Sequence, residues 1–245
     1  MTYTKYSASG NDFVIFHTFK EEDFSNDAVK LCNRTEGIGA DGFVALVPSS
    51  EADFKWLFYN SDGSHAAMCG NATRAVAHYA YNNGLASSSM KFLTEAGLIE
   101  SVVDDNIVET QMTEPVLIKE TFEQEGLTWY LIDTGVPHLV TLVDDLNSYD
   151  HDLCAKMRYE HNANVNFAKI EENGIKVRTY ERGVEGETLA CGTGMVACFL
   201  RANELGLVEN SSLLYPKSNE ELTVSKIDGK LYFKGAVKKV FTATI

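Results

Sequence analysis

The feature that most constrains this chain is an internal repeat built around two cysteines. Cys69 and Cys191 lie about half the 245-residue length apart, and a glycine follows each of them directly. Apolar residues then recur at helical spacing, and a Gly-Leu pair, Gly84-Leu85 or Gly206-Leu207, follows at the same distance in both copies. Glycine is favoured just past a helix end. The repeat therefore predicts two similar helices that each begin at a cysteine.

Strand patterns surround both helices in the same order. Runs rich in aromatic and β-branched residues precede the helices at 54–59 and 176–180, and two-strand patterns with a polar turn follow them at 99–112 and 222–234. This order predicts an α/β (α+β) fold with two pseudo-symmetric halves, residues 1–114 and 115–236, since Pro115 ends regular strand pairing. The last strand pattern, in 237–245, is expected to return to the first half. No low-complexity linker separates the halves, so we expect them to share a cleft.

Composition excludes several classes of partner. The chain carries 21 Lys and Arg against 35 Asp and Glu, a net charge of −14, which argues against binding to a nucleic acid backbone. No apolar run approaches the roughly 18 residues of a membrane span, and 1–12 lacks the basic start and apolar core of a signal peptide. We therefore expect a cytoplasmic protein with no membrane partner. The five cysteines form neither CxxC pairs nor zinc-finger spacings, so neither a disulfide framework nor a metal site is expected.

Two cysteines at two helix starts indicate a specific chemistry. The positive end of a helix dipole favours a thiolate, and the unpaired amides of the first turn bind an anion such as a carboxylate. Two such ends facing one another would hold one carboxylate between two sulfurs. One thiolate could then remove an α-proton while the opposite thiol returns a proton to the other face. This chemistry needs no cofactor, and the chain has no recognisable Schiff-base lysine or phosphate loop.

Ordinary structural roles compete with these assignments. An isolated cysteine is most often a small buried apolar residue, and Cys32, Cys154 and Cys198 keep that interpretation. An asparagine such as Asn60 is commonly a turn former, and Arg182 could be a solvated surface charge. For Cys69 and Cys191, the matched Cys-Gly starts favour the catalytic interpretation.

Seven short motifs extend the pattern over nearly the whole chain. In order they are Ser9-Gly10-Asn11-Asp12-Phe13, Gly37-Ile38-Gly39-Ala40-Asp41-Gly42, Asn60-Ser61-Asp62-Gly63-Ser64, Met68-Cys69-Gly70-Asn71-Ala72-Thr73-Arg74, Gly135-Val136-Pro137-His138, Tyr180-Glu181-Arg182-Gly183 and Glu187-Thr188-Leu189-Ala190-Cys191-Gly192-Thr193-Gly194. With these motifs together, the chain resembles the diaminopimelate epimerase family, pyridoxal-independent isomerases of lysine and peptidoglycan-precursor synthesis.

The resemblance implies a fold and a set of site residues. Each half would be a β-barrel-like sheet wrapped around a central helix, with the active site in the cleft and a homodimer as the assembly. Cys191 would accept the α-proton of the LL substrate and Cys69 would donate one, with the roles exchanged in reverse. His138 and Glu181 would set the protonation of the thiols. The substrate-binding residues would be Asn11, Asn60, Gly70, Asn71, Asn164, Glu181, Arg182, Gly192 and Thr193. No cofactor is implied.

Two departures from the common family pattern concern substrate choice. Val136 stands where many members have asparagine, and Gly42 where some have glutamine, so two side-chain contacts are absent. One alternative is therefore another cofactor-independent amino-acid racemase of the same fold, told apart by whether Asn60, Asn164 and Arg182 read a second carboxylate and amine. The other is a non-catalytic ligand-binding relative, which would need no acid–base pair of thiols.

Overall fold

A computed structural model describes residues 1–245, which divide into two units. The first unit comprises Met1–Gln111 and Lys234–Ile245, and the second Met112–Phe233. Each contains a mixed sheet and two α-helices, so the predicted α/β class is confirmed. None of the α-helices has the length and apolar composition of a membrane span.

The secondary structure alternates short strands with a few helices. The strands are β1 (Thr2–Ala8), β2 (Asn11–His17), β3 (Gly42–Val47), β4 (Phe54–Asn60), β5 (Ser89–Thr94), β6 (Gly97–Asp104), β7 (Ile107–Gln111), β8 (Val116–Gln124), β9 (Leu127–Asp133), β10 (Pro137–Leu142), β11 (Asn164–Glu171), β12 (Gly174–Glu181), β13 (Gly186–Thr188), β14 (Ser211–Tyr215), β15 (Leu222–Ile227), β16 (Lys230–Ala236) and β17 (Lys238–Thr244). The α-helices are α1 (Ser25–Cys32), α2 (Gly70–Asn82), α3 (His151–His161) and α4 (Gly192–Glu204), and a short 3₁₀ helix covers Leu146–Ser148.

In the first unit, the sheet combines antiparallel and parallel strand pairs. β1 pairs antiparallel with β17 and with β2, the latter through a two-residue turn in which Ser9 and Gly10 have φ of 52° and 85°. β2 and β3 are parallel, with α1 in the crossover, and β4 and β5 are parallel, with α2 in the crossover. The helix α2 packs against β1, β2, β6 and β7, so the sheet curves around it.

The second unit repeats this order of pairings. β10 and β11 are parallel with α3 between them, β11 and β12 are antiparallel, and β12 and β14 are parallel with α4 between them. β14 then pairs antiparallel with β15, as β5 does with β6. The helix α4 packs against β9, β10, β11, β12, β14 and β15. The sequence repeat is therefore a repeat of topology.

The two central helices fit inside their sheets because small residues line them. The predicted apolar face of α2 is fully buried and consists of Ala72, Ala75, Val76, Tyr79 and Ala80. In α4, Val196, Ala197, Phe199 and Ala202 are buried in the same way. Alanines allow the strands to approach the helix axis closely, and the larger Tyr79 and Phe199 fill the remaining space.

The predicted ends of both helices are confirmed. α2 and α4 begin directly after Cys69 and Cys191, and Gly84 and Gly206 follow their last turns with φ of 68° and 70°. A φ in this range costs little only for glycine, which explains why the chain places it there. The predicted strands at 54–59 and 176–180 lie within β4 and β12.

Candidate active site

Both predicted catalytic cysteines occupy the N-cap position of a central helix. Their backbones are extended, with φ and ψ of −154° and 117° at Cys69 and −127° and 109° at Cys191. Neither side chain caps its helix, and neither first turn contains an acidic residue. The first amides of each helix, at Gly70, Asn71, Gly192 and Thr193, have no acceptor within the helix. Each helix start can therefore receive an anion beside a sulfur atom.

In the first unit, Asn71 joins the helix start to the β1–β2 turn. Its Nδ2 donates to Asn11 Oδ1 at 2.7 Å, and Asn11 Nδ2 donates to Asp41 Oδ2 at 3.1 Å. Arg74, which is fully buried, donates from Nη2 to Asn71 Oδ1 at 2.6 Å and to Ser9 Oγ at 2.7 Å. The amide groups of Asn11 and Asn71 are thus held in fixed orientations beside Cys69.

An ion-pair cluster fixes the loops that carry Asn11. Arg34 forms two hydrogen bonds with the Asp12 carboxylate, both of 3.0 Å, and a third with Asp41 Oδ1 at 2.7 Å. Lys5 Nζ lies 3.0 Å from Asp12 Oδ2. Although burial opposes the ionised form, the hydrogen bonds from Arg34 and Lys5 hold the pKa of Asp12 below its ordinary value. The cluster joins two of the sequence motifs into one rigid support.

Asn60 lies in a separate turn at the end of β4. It is exposed, its Nδ2 donates to Ser64 Oγ at 2.9 Å, and its backbone N–H donates to the Ser64 carbonyl at 2.8 Å. Gly42 pairs with Asn60 in the β3–β4 register, and a Cβ there would lie 2.6 Å from Phe58 Cε2. A side chain at Gly42 would therefore require the Phe58 ring to move.

In the second unit, a chain of hydrogen bonds connects His138 to Cys191. His138 Nε2 lies 2.8 Å from Thr193 Oγ1, and Thr193 Oγ1 lies 3.5 Å from Cys191 Sγ. His138 is fully buried, and Cys191 is 8% exposed. Burial, assisted by the nearby Arg182 cation, lowers the pKa of His138 to about 3. The imidazole is therefore neutral at physiological pH.

Asn164 and Arg182 meet beside this chain. The backbone N–H of Arg182 donates to Asn164 Oδ1 at 2.8 Å, and Asn164 Nδ2 donates to the Pro137 carbonyl at 3.3 Å. Arg182 Nη1 donates to the Asn162 carbonyl at 3.0 Å. Glu181, the half-buried last residue of β12, directly precedes Arg182. The end of β12 thus presents a carboxylate and a guanidinium in succession.

Each unit gathers most of its predicted site residues around its own helix start. Asn11, Gly70 and Asn71 surround Cys69, whereas Asn60 lies apart in its turn; His138, Gly192, Thr193 and Asn164 surround Cys191. Sequence reasoning missed Arg74 and Asn166, which hold Asn71 and His138. Their spacing shows only that each shares a face with a predicted site residue, because Arg74 follows Asn71 by three residues on a helix and Asn166 follows Asn164 by two on a strand. The partners that give them a role are distant in sequence.

The other three cysteines are buried, as predicted. Burial raises the pKa of Cys32 and of Cys154 to about 12 and that of Cys198 further, so these thiols stay protonated. No group of three or more His, Cys, Asp or Glu side chains is arranged to hold a metal ion.

Comparison with known proteins shows the family to which the chain belongs. The family model described as diaminopimelate epimerase matches residues 3–118 and 130–240. The diaminopimelate epimerase of a Nitratiruptor species is 57% identical over 98% of this chain and 97% of its own length. That of Campylobacter jejuni subsp. doylei is 52% identical over 99% of this chain and 98% of its own.

A solved structure shares the fold at much lower identity. A hydroxyproline epimerase from Agrobacterium vitis with bound trans-4-hydroxy-L-proline has a TM-score of 0.73 and 16% identity, covering 99% of this chain and 91% of that one. At this identity the likeness supports the fold alone. The residues that the family model matches include both cysteine motifs of this chain, and the similarity to the two relatives spans nearly the full length. The chain is an isomerase that belongs to the diaminopimelate epimerase family.

Proposed function

We propose that this enzyme interconverts LL- and meso-2,6-diaminopimelate with two cysteines and no cofactor, in lysine and peptidoglycan-precursor synthesis. The observation that carries the proposal is the matched pair of cysteines at N-caps whose first-turn amides have no acceptor within the helix. Starting from the LL isomer, the Cys191 thiolate removes the α-proton and the Cys69 thiol donates a proton to the opposite face. The reverse reaction exchanges the two roles.

The backbone amides at the helix starts would bind the reacting carboxylate. Removal of the α-proton places negative charge on the α-carbon and its carboxylate. Amides of Gly70, Asn71, Gly192 and Thr193 would stabilise that charge as it develops, assisted by the dipoles of α2 and α4. Asn11 and the Asn71 side chain are already oriented by Asp41 and Arg74, so this half of the site needs little rearrangement.

The remaining predicted residues would set protonation and read the distal end of the substrate. His138, neutral and joined through Thr193 to Cys191, and Glu181 would tune the thiols. Glu181 would also accept from an amine. Asn60, Asn164 and Arg182 would contact the distal amino-acid group. Arg182 supports this role because Asn164 accepts from its backbone N–H and the Asn162 carbonyl accepts from Nη1, and the remaining N–H groups of the guanidinium can form a fork with a carboxylate.

The second candidate is another amino-acid racemase of the same fold. The likeness to a hydroxyproline epimerase favours it, because the same architecture there accommodates a substrate with no second amino-acid group. The two candidates differ at Arg182, which a smaller substrate would leave without a carboxylate partner.

The decisive experiment is an epimerisation assay on LL- and meso-diaminopimelate beside a panel of small amino acids, each also incubated in heavy water. We expect turnover and α-proton exchange on diaminopimelate only. Turnover on a panel member instead would support the second candidate. Absence of exchange on every substrate would contradict both and favour a ligand-binding role.

We also propose a cytoplasmic homodimer. Strand β17 supports a dimer because it exposes two large apolar side chains, Val240 and Phe241, which are 44% and 43% exposed. Light scattering after gel filtration should give twice the monomer mass of 27.1 kDa. A monomeric mass at assay concentration would contradict this proposal.

A further inference from the structure

Asn166 packs against the start of α4, and both the nitrogen and the oxygen of its side-chain amide have hydrogen-bond partners. It is fully buried in β11. Its Nδ2 donates to the Leu139 carbonyl at 2.8 Å and lies 3.0 Å from His138 Nδ1. Its Oδ1 accepts from Thr179 Oγ1 at 2.9 Å. Neither the family resemblance nor the sequence motifs give this residue a role.

The Leu139 carbonyl determines which way the Asn166 amide faces. A carbonyl can only accept, so the amide nitrogen of Asn166 must point toward it. A flipped amide would set Oδ1 against the Leu139 oxygen. The two protons of Nδ2 are then committed to Leu139 and to His138 Nδ1. His138 Nδ1 is therefore an acceptor.

The orientation of Asn166 fixes the polarity of the whole chain of hydrogen bonds. A neutral imidazole that accepts at Nδ1 carries its proton on Nε2. Nε2–H then donates to Thr193 Oγ1 at 2.8 Å, and the Thr193 hydroxyl proton is left to point at Cys191 Sγ, 3.5 Å away. The Asn164 nitrogen, at 3.4 Å from Nε2, is farther than the Thr193 oxygen and donates to the Pro137 carbonyl. Every bond in the chain thus donates toward the sulfur.

Gly194 shows that this contact with α4 is tight. A Cβ at Gly194 would lie 2.5 Å from Asn166 Oδ1 and 3.3 Å from His138 Cε1. The helix backbone therefore rests directly on the two side chains. This packing leaves Asn166 and His138 no alternative placement, which is what a fixed direction of donation requires.

We propose that Asn166 is a positioning residue. It holds His138 with its proton on Nε2, so that the Thr193 hydroxyl donates to Cys191 Sγ and stabilises the thiolate form of that cysteine. This inference rests on the proposed two-thiol reaction, for which it makes Cys191 the sulfur prepared to accept the first proton of the LL substrate. Asn166 itself acts through His138 and Thr193. The titratable groups around the chain are His138 on β10, Glu181 and Arg182 at the end of β12, and Cys198 within α4.

The test measures the thiolate directly, without turnover. Iodoacetamide reacts with thiolates, so the pH at which alkylation of Cys191 is half-maximal reports the protonation of that sulfur. Peptide mass spectrometry separates Cys191 from Cys69, which serves as the internal control. The variants are Asn166→Leu and Thr193→Val, both close in size to the native residue, the double variant, and Thr193→Ser.

Both single variants should raise the Cys191 midpoint by about one pH unit, the tenfold effect of one hydrogen bond to a charged atom. The double variant should shift it no further than Thr193→Val does, because both remove the same donor. Thr193→Ser, which keeps the hydroxyl, should leave the Cys191 midpoint at its native value. The Cys69 midpoint should stay unchanged in every variant. Thr141→Val is the matched control, since the buried Thr141 hydroxyl on β10 has no partner.

An unchanged Cys191 midpoint in folded Asn166→Leu protein, or additive shifts in the double variant, would overturn the proposal. If Asn166→Leu does not fold, Thr193→Val decides alone, and an unchanged midpoint there overturns it. Alkylation requires no substrate, so a shifted midpoint in an enzyme that does not epimerise diaminopimelate would reject the proposed function and keep this inference.

Discussion

At the residue scale, N-cap position on one side and burial on the other separate the two proposed catalytic cysteines from the other three. Cys69 and Cys191 precede the first turn of a helix, where the dipole favours a thiolate. Cys32 is the last residue of α1, at the opposite end of a dipole, and burial raises its pKa to about 12. Burial likewise raises the pKa of Cys154, although it lies in the first turn of α3, and that of Cys198 within α4.

Replacing either reactive cysteine should abolish inversion. Each thiol serves one face of the α-carbon, so Cys69→Ala and Cys191→Ala should each reduce turnover of LL-diaminopimelate to background, with circular dichroism unchanged. Serine is a weaker acid by several pKa units, so the serine variants should be severely impaired as well. Cys32→Ala is the control with near-native activity. Near-normal turnover by Cys69→Ala or Cys191→Ala would reject the two-thiol mechanism.

Arg182 should govern selectivity rather than chemistry. An ammonium cannot reproduce the planar fork of a guanidinium, so Arg182→Lys should cost about 2–4 kcal/mol in kcat/KM for diaminopimelate. Proton exchange on a small amino acid without a distal carboxylate should barely change. The measurement is the ratio of the loss in kcat/KM for diaminopimelate to the loss in exchange rate for the small amino acid. Equal losses on both substrates would show that Arg182 supports the thiols or the fold instead.

The buried His138 should make stability fall in acid. Its pKa is lowered from 6.5 to about 3 in the folded protein, so between these values the unfolded chain binds one more proton. Unfolding is therefore favoured as pH falls below about 6.5, by at most about 1.4 kcal/mol per pH unit. Urea unfolding of wild type and His138→Gln at pH 7.5 and 5 checks this. Between pH 7.5 and 5, the free energy of unfolding should fall more for the wild type than for His138→Gln. Equal losses in the two proteins would contradict this prediction.

The site residues predicted from sequence are those whose proposed role depends on a local pattern. Cys69 and Cys191 could be predicted as N-cap residues because the glycine after each opens a helical pattern along the chain. Arg74 could not, since its partners Ser9 and Ala236 lie far from it in sequence and meet it only after folding. Asn166 was missed for the same reason, because its partners come from two other strands.

At the element scale, local sequence patterns likewise predict two of the four α-helices and fail for the other two. α2 and α4 carry broad apolar faces and glycine ends, so their existence and bounds could be predicted. α1 and α3 could not be, because α1 is only eight residues long and α3 buries only Cys154 and Met157. Both are crossover helices on the outside of a parallel strand pair, and the pairing they connect determines their place.

The start of α4 should tolerate no side chain at Gly194. Alanine normally stabilises a helix relative to glycine by up to about 1 kcal/mol. At Gly194 the added Cβ would lie 2.5 Å from Asn166 Oδ1, so we expect Gly194→Ala to destabilise the protein by about 1–3 kcal/mol and to lower turnover. Gly186→Ala is the control, because that position has open space around it. Urea unfolding compares the two, and equal stabilities would contradict the predicted clash.

At the scale of the whole molecule, the repeat explains why neither half suffices. Each unit provides one cysteine at one helix start, together with the residues that orient its own amides. Inversion needs an acid and a base on opposite faces of one carbon, so the proposed reaction requires both units. The supports around the two sulfurs differ, since Arg74 holds Asn71 in one unit and Asn166 holds His138 in the other. The two thiols are therefore equivalent in topology but not in surroundings.

Oxidation should test whether the two units bring their sulfurs to one carbon. If they do, closing the site without substrate should allow Cys69 and Cys191 to join, since a disulfide requires Cα atoms within about 7 Å. Treatment with a mild oxidant should then inactivate the enzyme, and a reductant should restore it. Mass spectrometry of the oxidised protein should find one peptide pair that contains both residues. Bound diaminopimelate should slow inactivation by the oxidant, because it would lie between the two sulfurs. A bond from either residue to Cys32 or Cys154 would contradict the shared site, as would inactivation that substrate does not slow.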